Sequence, residues 1–362
     1  MKYTIDKAER PVYLQIYKQI RDDIISGVFP YNSKLPSKRQ LAEETGTSVI
    51  TIEHAYALLC DEGYAESRER SGYYVSFRQA DGFAASASES IMNTVEGRAT
   101  SDYQGFPLSV LSKTMRRVLT DYHDVILDKS PNPGCAELRG AICRYLARNR
   151  GIEISTDQII IGSGAEYLYG LIIELFGREK SYAIETPSYD KLELIYRAAG
   201  AEYELLPLSK DGIDSDALLA SRADVLHTTP YRSYPTGITA SASKRHEYIR
   251  WSGKNGRYII ESDYGSEFAV SSQPMETLFV LSGNDNVIYL NTFSRTISPS
   301  MRIGYMVLPK HLVEPFNDKL GFYSCTVPTF EQYVLCELIN SGDFERHINR
   351  VRRNMRRELK NT

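Results

Sequence analysis

Two arginines seven residues apart are the residues of this chain best suited to binding an anion. Arg295 and Arg302 lie in the segment Asn291–Pro309, which reads NTFSRTISPSMRIGYMVLP and closes on the apolar run 303–307. Small hydroxyl residues surround both cations, and a guanidinium presents a fork of donors that matches a phosphate. The segment is therefore typical of a site for a phosphorylated anion beside the end of a strand.

Length and composition bound the architecture that must position this segment. With 362 residues, 42% of them hydrophobic and 25% charged, the chain predicts a globular protein with two domains, one of them large. We see no signal-peptide pattern and no apolar run of membrane-spanning length, and five scattered cysteines favour reduced thiols in a cytoplasmic protein. The net charge of −3 gives no general attraction to nucleic acid, so DNA binding requires a local basic surface.

The first 78 residues predict a winged helix-turn-helix domain. Apolar residues at four-residue spacing indicate a helix over 12–26, and serine or threonine caps precede two more helices over 38–45 and about 48–62. A hairpin over 64–77 completes the pattern. The stretches GVFPYNSKLPSKRQLAEETGTS, EHAYALLCDEGY and ESRERSGYYV resemble the GntR group of bacterial regulators. The resemblance implies binding to double-stranded DNA.

The physical chemistry of the side chains agrees with that function. The third helix of such a motif enters the major groove by its N-terminal end, where hydroxyl groups can donate to the DNA. Cations at the start of the second helix suit backbone phosphates, and arginines in the wing suit a flanking groove. Val49 and Ile50 can contact a thymine methyl but cannot pair bidentately with guanine, which leaves the base preference open. The residues predicted to contact DNA are Lys38, Arg39, Thr47, Ser48, Thr51, Arg68 and Arg70.

The rest of the chain predicts a linker and a large α/β domain. Residues 79–100 are rich in alanine, serine and glycine, as interdomain linkers are. Over 101–362, near-continuous apolar runs alternate with amphipathic helices, which predicts a mostly parallel sheet covered on both faces. Ligands of such sheets bind in the loops beyond the carboxyl ends of the strands, and the polar motifs of this chain fall there.

Four of these loops, with the segment Asn291–Pro309, resemble the fold-type I pyridoxal-phosphate-dependent aminotransferases. They read IGSGAE at 161–166, ETPSY at 185–189, TPYRSYPTG at 229–237 and ESDY at 261–264. Together with the winged helix, they make essentially the whole chain similar to the MocR subgroup of GntR regulators. The resemblance implies a three-layer large domain that senses pyridoxal 5′-phosphate or its adduct with an amino compound, and a homodimer.

The resemblance also implies which residues hold the phosphate of the coenzyme. Arg302 corresponds to the phosphate-binding arginine, and Thr292 and Ser294 to hydroxyls near the phosphate. Gly164 and Ala165 correspond to backbone N–H donors.

Three further positions correspond to groups around the pyridine ring. Tyr189 matches the ring neighbour, and Tyr264 matches the donor to the ring oxygen. The family usually has two acids before this tyrosine, whereas this chain has Ser262 and Asp263. Asp263 is predicted to contact the coenzyme, although Ser262 occupies the position that reaches the pyridine nitrogen. A serine cannot hold that nitrogen protonated as an anion would.

Arg295 corresponds to the lysine that forms the Schiff base with the coenzyme. An arginine stays protonated and delocalised, so it cannot form that bond. Non-covalent binding is therefore the most that the resemblance implies, and a pocket without coenzyme stays an open alternative. After the basic stretch 341–362 the family continues into a small domain that binds a substrate carboxylate, and we expect that domain to be lacking.

Three functions compete at this point. The first is a DNA-binding regulator with a degenerate aminotransferase-like effector domain, and it is the one that the motifs favour. The second is an aminotransferase with an appended DNA-binding domain, against which Arg295 and Ser262 argue. The third is a non-functional remnant that folds poorly or only dimerises.

Overall fold

The structure, a computed structural model, describes residues 3, 5, 11–69, 71–77, 105–253, 256–269, 276–283 and 286–361. The chain divides into two compact units, Met1–Gly97 and Arg98–Thr362. The predicted linker at 79–100 lies outside the described residues. No helix among the described residues is both long and apolar enough to cross a membrane.

The N-terminal unit has three helices and a hairpin. Their bounds are α1 Val12–Ile25, α2 Lys38–Thr45, α3 Val49–Asp61, β1 Ala65–Arg68 and β2 Gly72–Val75. The two strands pair antiparallel, with Ala65 opposite Val75. The core is closed by apolar side chains at helical spacing, among them Ile16, Ile52 and Leu59, none of which is exposed. The predicted winged helix is confirmed.

The C-terminal unit is built on one eight-stranded sheet. Its strands are β3 Ile159–Gly162, β4 Ser181–Thr186, β5 Glu202–Ser209, β6 Gly212–Ile213, β7 Val225–Thr228, β8 Tyr258–Asp263, β9 Val287–Thr292 and β10 Gly304–Val307. Their order is β3-β10-β9-β8-β7-β4-β5-β6. From β9 to β5 all neighbours are parallel, whereas β10 is antiparallel to both of its neighbours and β6 to β5.

Helices cover both faces of the sheet. They are α4 Leu108–Tyr122, α5 Ala136–Arg150, α6 Ala165–Phe176, α7 Asp190–Ala199, α8 Ser215–Ala220, α9 Ala242–Ser252, α10 Leu278–Leu281, α11 Val313–Leu320, α12 Thr329–Asn340 and α13 Asp343–Asn361. Ile259 packs into the core on the side of α5 and α12, and its neighbour Ile260 into the core on the side of α6 and α7. This alternation makes both faces of the strands apolar, and the predicted mostly parallel α/β fold is confirmed.

One long strand escaped the sequence analysis. β5 begins with Glu202, Tyr203 and Glu204, so it lacks the continuous apolar run by which the central strands were identified. Most of its residues are exposed or half-buried because only the two-residue strand β6 lies beyond it. Strands near the edge of a sheet keep polar side chains that the buried centre excludes.

Candidate functional site

The start of α3 is held by hydroxyl groups that were predicted to face DNA. The Ser48 side chain accepts a hydrogen bond from the Thr51 N–H (3.1 Å), and the hydroxyls of Ser48 and Thr51 lie 2.8 Å apart. Thr45 donates to the Leu41 carbonyl (2.7 Å), so its contact with Thr47 at 2.8 Å uses the Thr47 proton. Only one proton of the Ser48–Thr51 pair is left for a phosphate.

The cations at the start of α2 differ in how free they are. Lys38 lies 2.8 Å from the Glu53 carboxylate of α3, so part of its charge is neutralised. Arg39 is exposed and has no hydrogen bond or ion pair with any other residue that the structure describes. Arg39 is therefore the better placed of the two for a backbone phosphate.

Arg68 of the wing is fixed by its neighbours. Its guanidinium bonds to Glu66 (2.7 Å) and to the Asn32 side chain (2.5 Å), and it lies 4.2 Å from the centre of the Tyr74 ring. This cation is held against the body of the unit rather than extended from it. Arg70, the second predicted wing cation, lies outside the described residues.

In the C-terminal unit, the Arg302 guanidinium contacts the backbone at the start of α6. Gly164 occupies the N-cap position with φ of +96°, and no side chain caps the helix. A Cβ at Gly164 would lie 2.9 Å from the Arg302 guanidinium, so the arginine packs directly on the glycine backbone. Ala165 begins the helix, whose first N–H groups have no intrahelical partner. Backbone donors and a guanidinium thus face the same place.

Thr292 lies close to this cradle, and its hydroxyl is buried without a partner among the described residues. Thr292 pairs with Gly304 across β9 and β10, and a Cβ at Gly304 would touch both the Thr292 methyl and the backbone of Gly164. Thr292 is only 8% exposed, and its hydroxyl has no partner among the residues described. Ser294, the second predicted hydroxyl, is half-buried two residues further on. A buried hydroxyl without a partner is destabilising unless a ligand satisfies it.

A carboxylate that the sequence analysis missed sits beside the cradle. Glu166 accepts hydrogen bonds from Lys191 (3.0 Å) and from the Tyr189 hydroxyl (2.9 Å), and its other oxygen lies 3.6 Å from Arg302. These bonds, first from Lys191 and then from Tyr189, hold the pKa of Glu166 below its usual range. The site therefore contains an ionised carboxylate, which would repel the negative charge of a bound phosphate.

Two of the motif loops are joined by a buried carboxylate at the end of β4. Glu185 accepts hydrogen bonds from Thr228 (2.6 Å) and from Ser233 (2.5 Å), and burial raises its pKa. These contacts connect the loop that carries Tyr189 to the loop after β7. The start of the loop that carries Tyr189 is thus held in place by these two hydrogen bonds.

Arg295 lies against aromatic rings. Its guanidinium is 5.6 Å from the centre of the Tyr264 ring and 5.9 Å from that of Phe268, and it donates to the Tyr264 carbonyl (3.3 Å). A Cβ at Gly265 would collide with it, so that glycine makes room for the guanidinium. The residue predicted to replace the Schiff-base lysine is thus a cation held by ring faces and a carbonyl.

Ser262 takes part in a buried chain of neutral groups. Its hydroxyl lies 3.0 Å from Nε2 of His227 and 2.8 Å from the Tyr169 hydroxyl, and Nδ1 of His227 lies 2.9 Å from the Tyr196 hydroxyl. Burial lowers the pKa of His227 to about 3, so the imidazole is neutral. No charged side chain belongs to this chain of hydrogen bonds.

Asp263, predicted to contact the coenzyme, is paired with groups of the protein itself. Its carboxylate lies 3.2 Å from Arg150, accepts a hydrogen bond from the Tyr289 hydroxyl (2.7 Å), and is only 6% exposed. Successive residues of a strand point to opposite faces, so Asp263 faces away from Ser262. The carboxylate is thus bound within the protein by Arg150 and Tyr289. A partner for it, Arg150, had no recognisable signal because 113 residues separate the two in sequence.

A helix-turn-helix unit and an aminotransferase-like unit in one chain define a class of two-part transcriptional regulators. Residues 12–75 match the family of bacterial regulatory proteins named gntR, and residues 99–361 match aminotransferase class I and II. The HTH-type transcriptional regulator YdeL of Bacillus subtilis is 31% identical, over 96% of this chain and 77% of its own length. The chain belongs to the MocR subgroup of the GntR family of transcriptional regulators.

Two other relatives carry more specific names. The probable rhizopine catabolism regulatory protein MocR of Rhizobium meliloti is 26% identical, over 96% of this chain and 75% of its own length. The pyridoxine biosynthesis regulator PdxR of Corynebacterium glutamicum is 27% identical, over 94% and 75% of the two chains.

Solved aminotransferases share the fold of the C-terminal unit. Kynurenine aminotransferase of Pyrococcus horikoshii superposes with a TM-score of 0.62 and 25% identity, over 68% of this chain and 64% of its own. The α-aminoadipate aminotransferase LysN of Thermus thermophilus, solved with N-(5′-phosphopyridoxyl)-L-leucine, gives 0.60 and 27% over the same shares. The chain thus spans less than two thirds of these enzymes.

Proposed function

We propose that the large domain of this transcriptional regulator binds pyridoxal 5′-phosphate, or its adduct with an amino compound, without a covalent bond to the chain. Ligand binding in the large domain changes the affinity of the winged helix for operator DNA. Residues 1–78 form the DNA-binding domain, 79–100 the linker and 101–362 the sensing domain. The protein works as a homodimer.

The observation that carries the proposal is the phosphate cradle. The start of α6 is uncapped, the Arg302 guanidinium packs on Gly164, and the hydroxyl of Thr292 is buried without a partner. A phosphate accepts hydrogen bonds from all three kinds of group. Arg302, Thr292, Ser294 and the N–H of Ala165 would hold the phosphate.

The residues predicted to surround the pyridine ring suit binding of the coenzyme but not catalysis. The coenzyme supplies an electron sink for carbanions, and enzymes hold it through a lysine and a partner for its pyridine nitrogen. Arg295 cannot supply the lysine. Ser262 and the neutral His227 offer no negative charge to keep a pyridine protonated. Tyr189 and Tyr264 remain as neighbours for the ring.

The relatives support the same class of ligand. PdxR is named for pyridoxine biosynthesis, and LysN holds a phosphopyridoxyl adduct of an amino acid. An exposed apolar strip on α4 supports the homodimer, since Leu108 and Leu119 are 76% and 54% exposed on one face of the helix.

Titration of the full chain with pyridoxal 5′-phosphate, followed by borohydride reduction and peptide mass mapping, tests the proposal. We expect saturable binding in the absorbance spectrum and no reduced adduct at position 295. The R295K variant should gain an adduct there, because a lysine can attack the aldehyde. Lys191→Arg in both backgrounds controls for reaction of the lysine that pairs with Glu166 beside Arg302.

Two outcomes would overturn the proposal. Absence of saturable binding would show that the large domain does not bind the coenzyme. Amino-group transfer catalysed by the unaltered chain would favour the enzyme, the alternative that Arg295 opposes.

A further inference from the structure

The base-facing end of the recognition helix is apolar. Val49 and Ile50, the first two residues of α3, are 41% and 65% exposed. The core face of the same helix is complete without them, because Ile52, Ala55 and Leu59 are fully buried. The exposure of Val49 and Ile50 is therefore not a consequence of folding the unit.

The polar groups around this pair are mostly engaged within the protein. The hydroxyl proton of Thr47 is used by Thr45, and Ser48 and Thr51 share one hydrogen bond. Glu53, one turn further along α3, is bound to Lys38. The helix itself, VITIEHAYALLCD, contains no arginine, lysine, asparagine or glutamine.

That composition limits which bases α3 can recognise. Guanine is read mainly by arginine or lysine and adenine by asparagine or glutamine, each through two hydrogen bonds. Thymine alone presents a methyl group in the major groove, which apolar side chains contact. Ile50 also borders a groove of about 520 Å³ whose other walls include Tyr13 and His54.

We propose that Ile50, with Val49 beside it, recognises thymine methyl groups, so that T·A pairs occupy the operator positions facing the start of α3. The inference rests on DNA binding by the winged helix, which the family implies. It assigns sequence preference to two apolar side chains in place of the hydrogen-bonding residues that a reading helix ordinarily uses.

The test begins with selection of duplexes by the full-length protein from a library with a randomised central region. In the selected duplex, each thymine is replaced in turn by deoxyuridine, which removes only the methyl group. Affinity is measured by fluorescence anisotropy at one fixed salt concentration, because phosphate contacts make affinity salt-dependent. We expect enrichment of T·A pairs and one or two thymines at which deoxyuridine weakens binding about three- to fivefold, as for loss of one buried methyl group.

The Ile50→Ala variant links that loss to the residue. At the critical thymine, replacement by deoxyuridine should not change the affinity of this variant. Its affinity for either duplex should equal the affinity of the unaltered protein for the duplex that lacks the methyl group. Val28→Ala is the matched control, because Val28 is 46% exposed but lies outside α3, and it should retain the full deoxyuridine effect.

Several results would overturn the inference. Equal deoxyuridine effects in the unaltered protein and in Ile50→Ala would assign the methyl contact to another residue. Enrichment of G·C pairs alone would contradict methyl recognition while leaving DNA binding intact. A change in sedimentation of Ile50→Ala without a change in DNA affinity would indicate that Val49 and Ile50 contact another protein molecule instead of DNA. Failure to select any duplex would instead contradict DNA binding itself.

Discussion

The starts of α3 and α6 are both places where a ligand is expected, but they are built differently. At α3 the Ser48 side chain accepts a hydrogen bond from the Thr51 N–H, whereas at α6 the N-cap is Gly164, which has no side chain. A side-chain cap satisfies part of the donor set at a helix start, and an uncapped start leaves it to an anion. The two helices thus offer different chemistry: α3 presents side chains, and α6 presents backbone.

The cations near the two helices differ in how closely they are paired with carboxylates. Lys38 and Arg68 of the N-terminal unit lie 2.8 and 2.7 Å from their carboxylate partners. Arg302 lies 3.6 Å from Glu166, and half of its side chain is exposed. A guanidinium at that distance from its partner keeps more of its fork available to a phosphate.

The largest effect should come from removing the guanidinium at α6. Arg302→Ala should weaken binding of pyridoxal 5′-phosphate by about ten- to a hundredfold, because a hydrogen bond between charged groups contributes about 1.5–3 kcal/mol. Isothermal titration calorimetry measures the change. Arg178→Ala is the control, since Arg178 is an exposed arginine paired with Glu174. Equal affinities for Arg302→Ala and the unaltered chain would show that α6 is not the phosphate site.

A smaller effect of opposite sign should follow from removing the internal anion. Glu166→Gln should strengthen coenzyme binding about three- to tenfold, because the phosphate no longer meets a carboxylate beside Arg302. Without coenzyme the variant should be slightly less stable, since an acid in the first turn favours the helix dipole. Direct titration and thermal unfolding with and without coenzyme measure both.

The matched control for this charge change lies on the same helix. Glu174→Gln removes a carboxylate about 12 Å further along α6, where it pairs with Arg178. Its affinity for the coenzyme should not change. If both variants bind more tightly to the same extent, the general charge of the domain is responsible, and Glu166 does not compete with the phosphate.

The fold and the backbone turn at the proposed phosphate site were predictable because both leave local signals. Apolar runs gave the central strands, and the glycine of IGSGAE marked the turn into α6. β5 was missed because its alternating acids hide a strand near the sheet edge.

The partners of the site residues were not predictable, because long-range contacts leave no local signal. Glu166 meets Lys191 across 25 residues, and Asp263 meets Arg150 across 113 residues. The hydroxyls of α3 were expected to be free donors, whereas their nearest partners are other hydroxyls in the same turn. Spacing in the sequence places side chains on a face, but it does not show which of their protons are already used.

The smallest effect should come from removing the cap that distinguishes α3 from α6. Ser48→Ala should lower the free energy of unfolding of the N-terminal unit by about 1 kcal/mol, because the Thr51 N–H loses its acceptor. Hydrogen exchange of the α3 amides in the full chain measures the change.

Ser37→Ala is the matched variant, since Ser37 caps α2 by accepting from the Gln40 N–H. We expect a similar loss of stability from it, while only Ser48→Ala also weakens DNA binding, because Ser48 starts the helix that enters the groove. Unchanged protection of the Thr51 amide in Ser48→Ala would contradict the cap. Equal losses of DNA affinity in both variants would mean that the loss of stability alone weakens DNA binding. The starts of α3 and α6 would then differ in their caps, but the Ser48 side chain would have no separate role in contacting DNA.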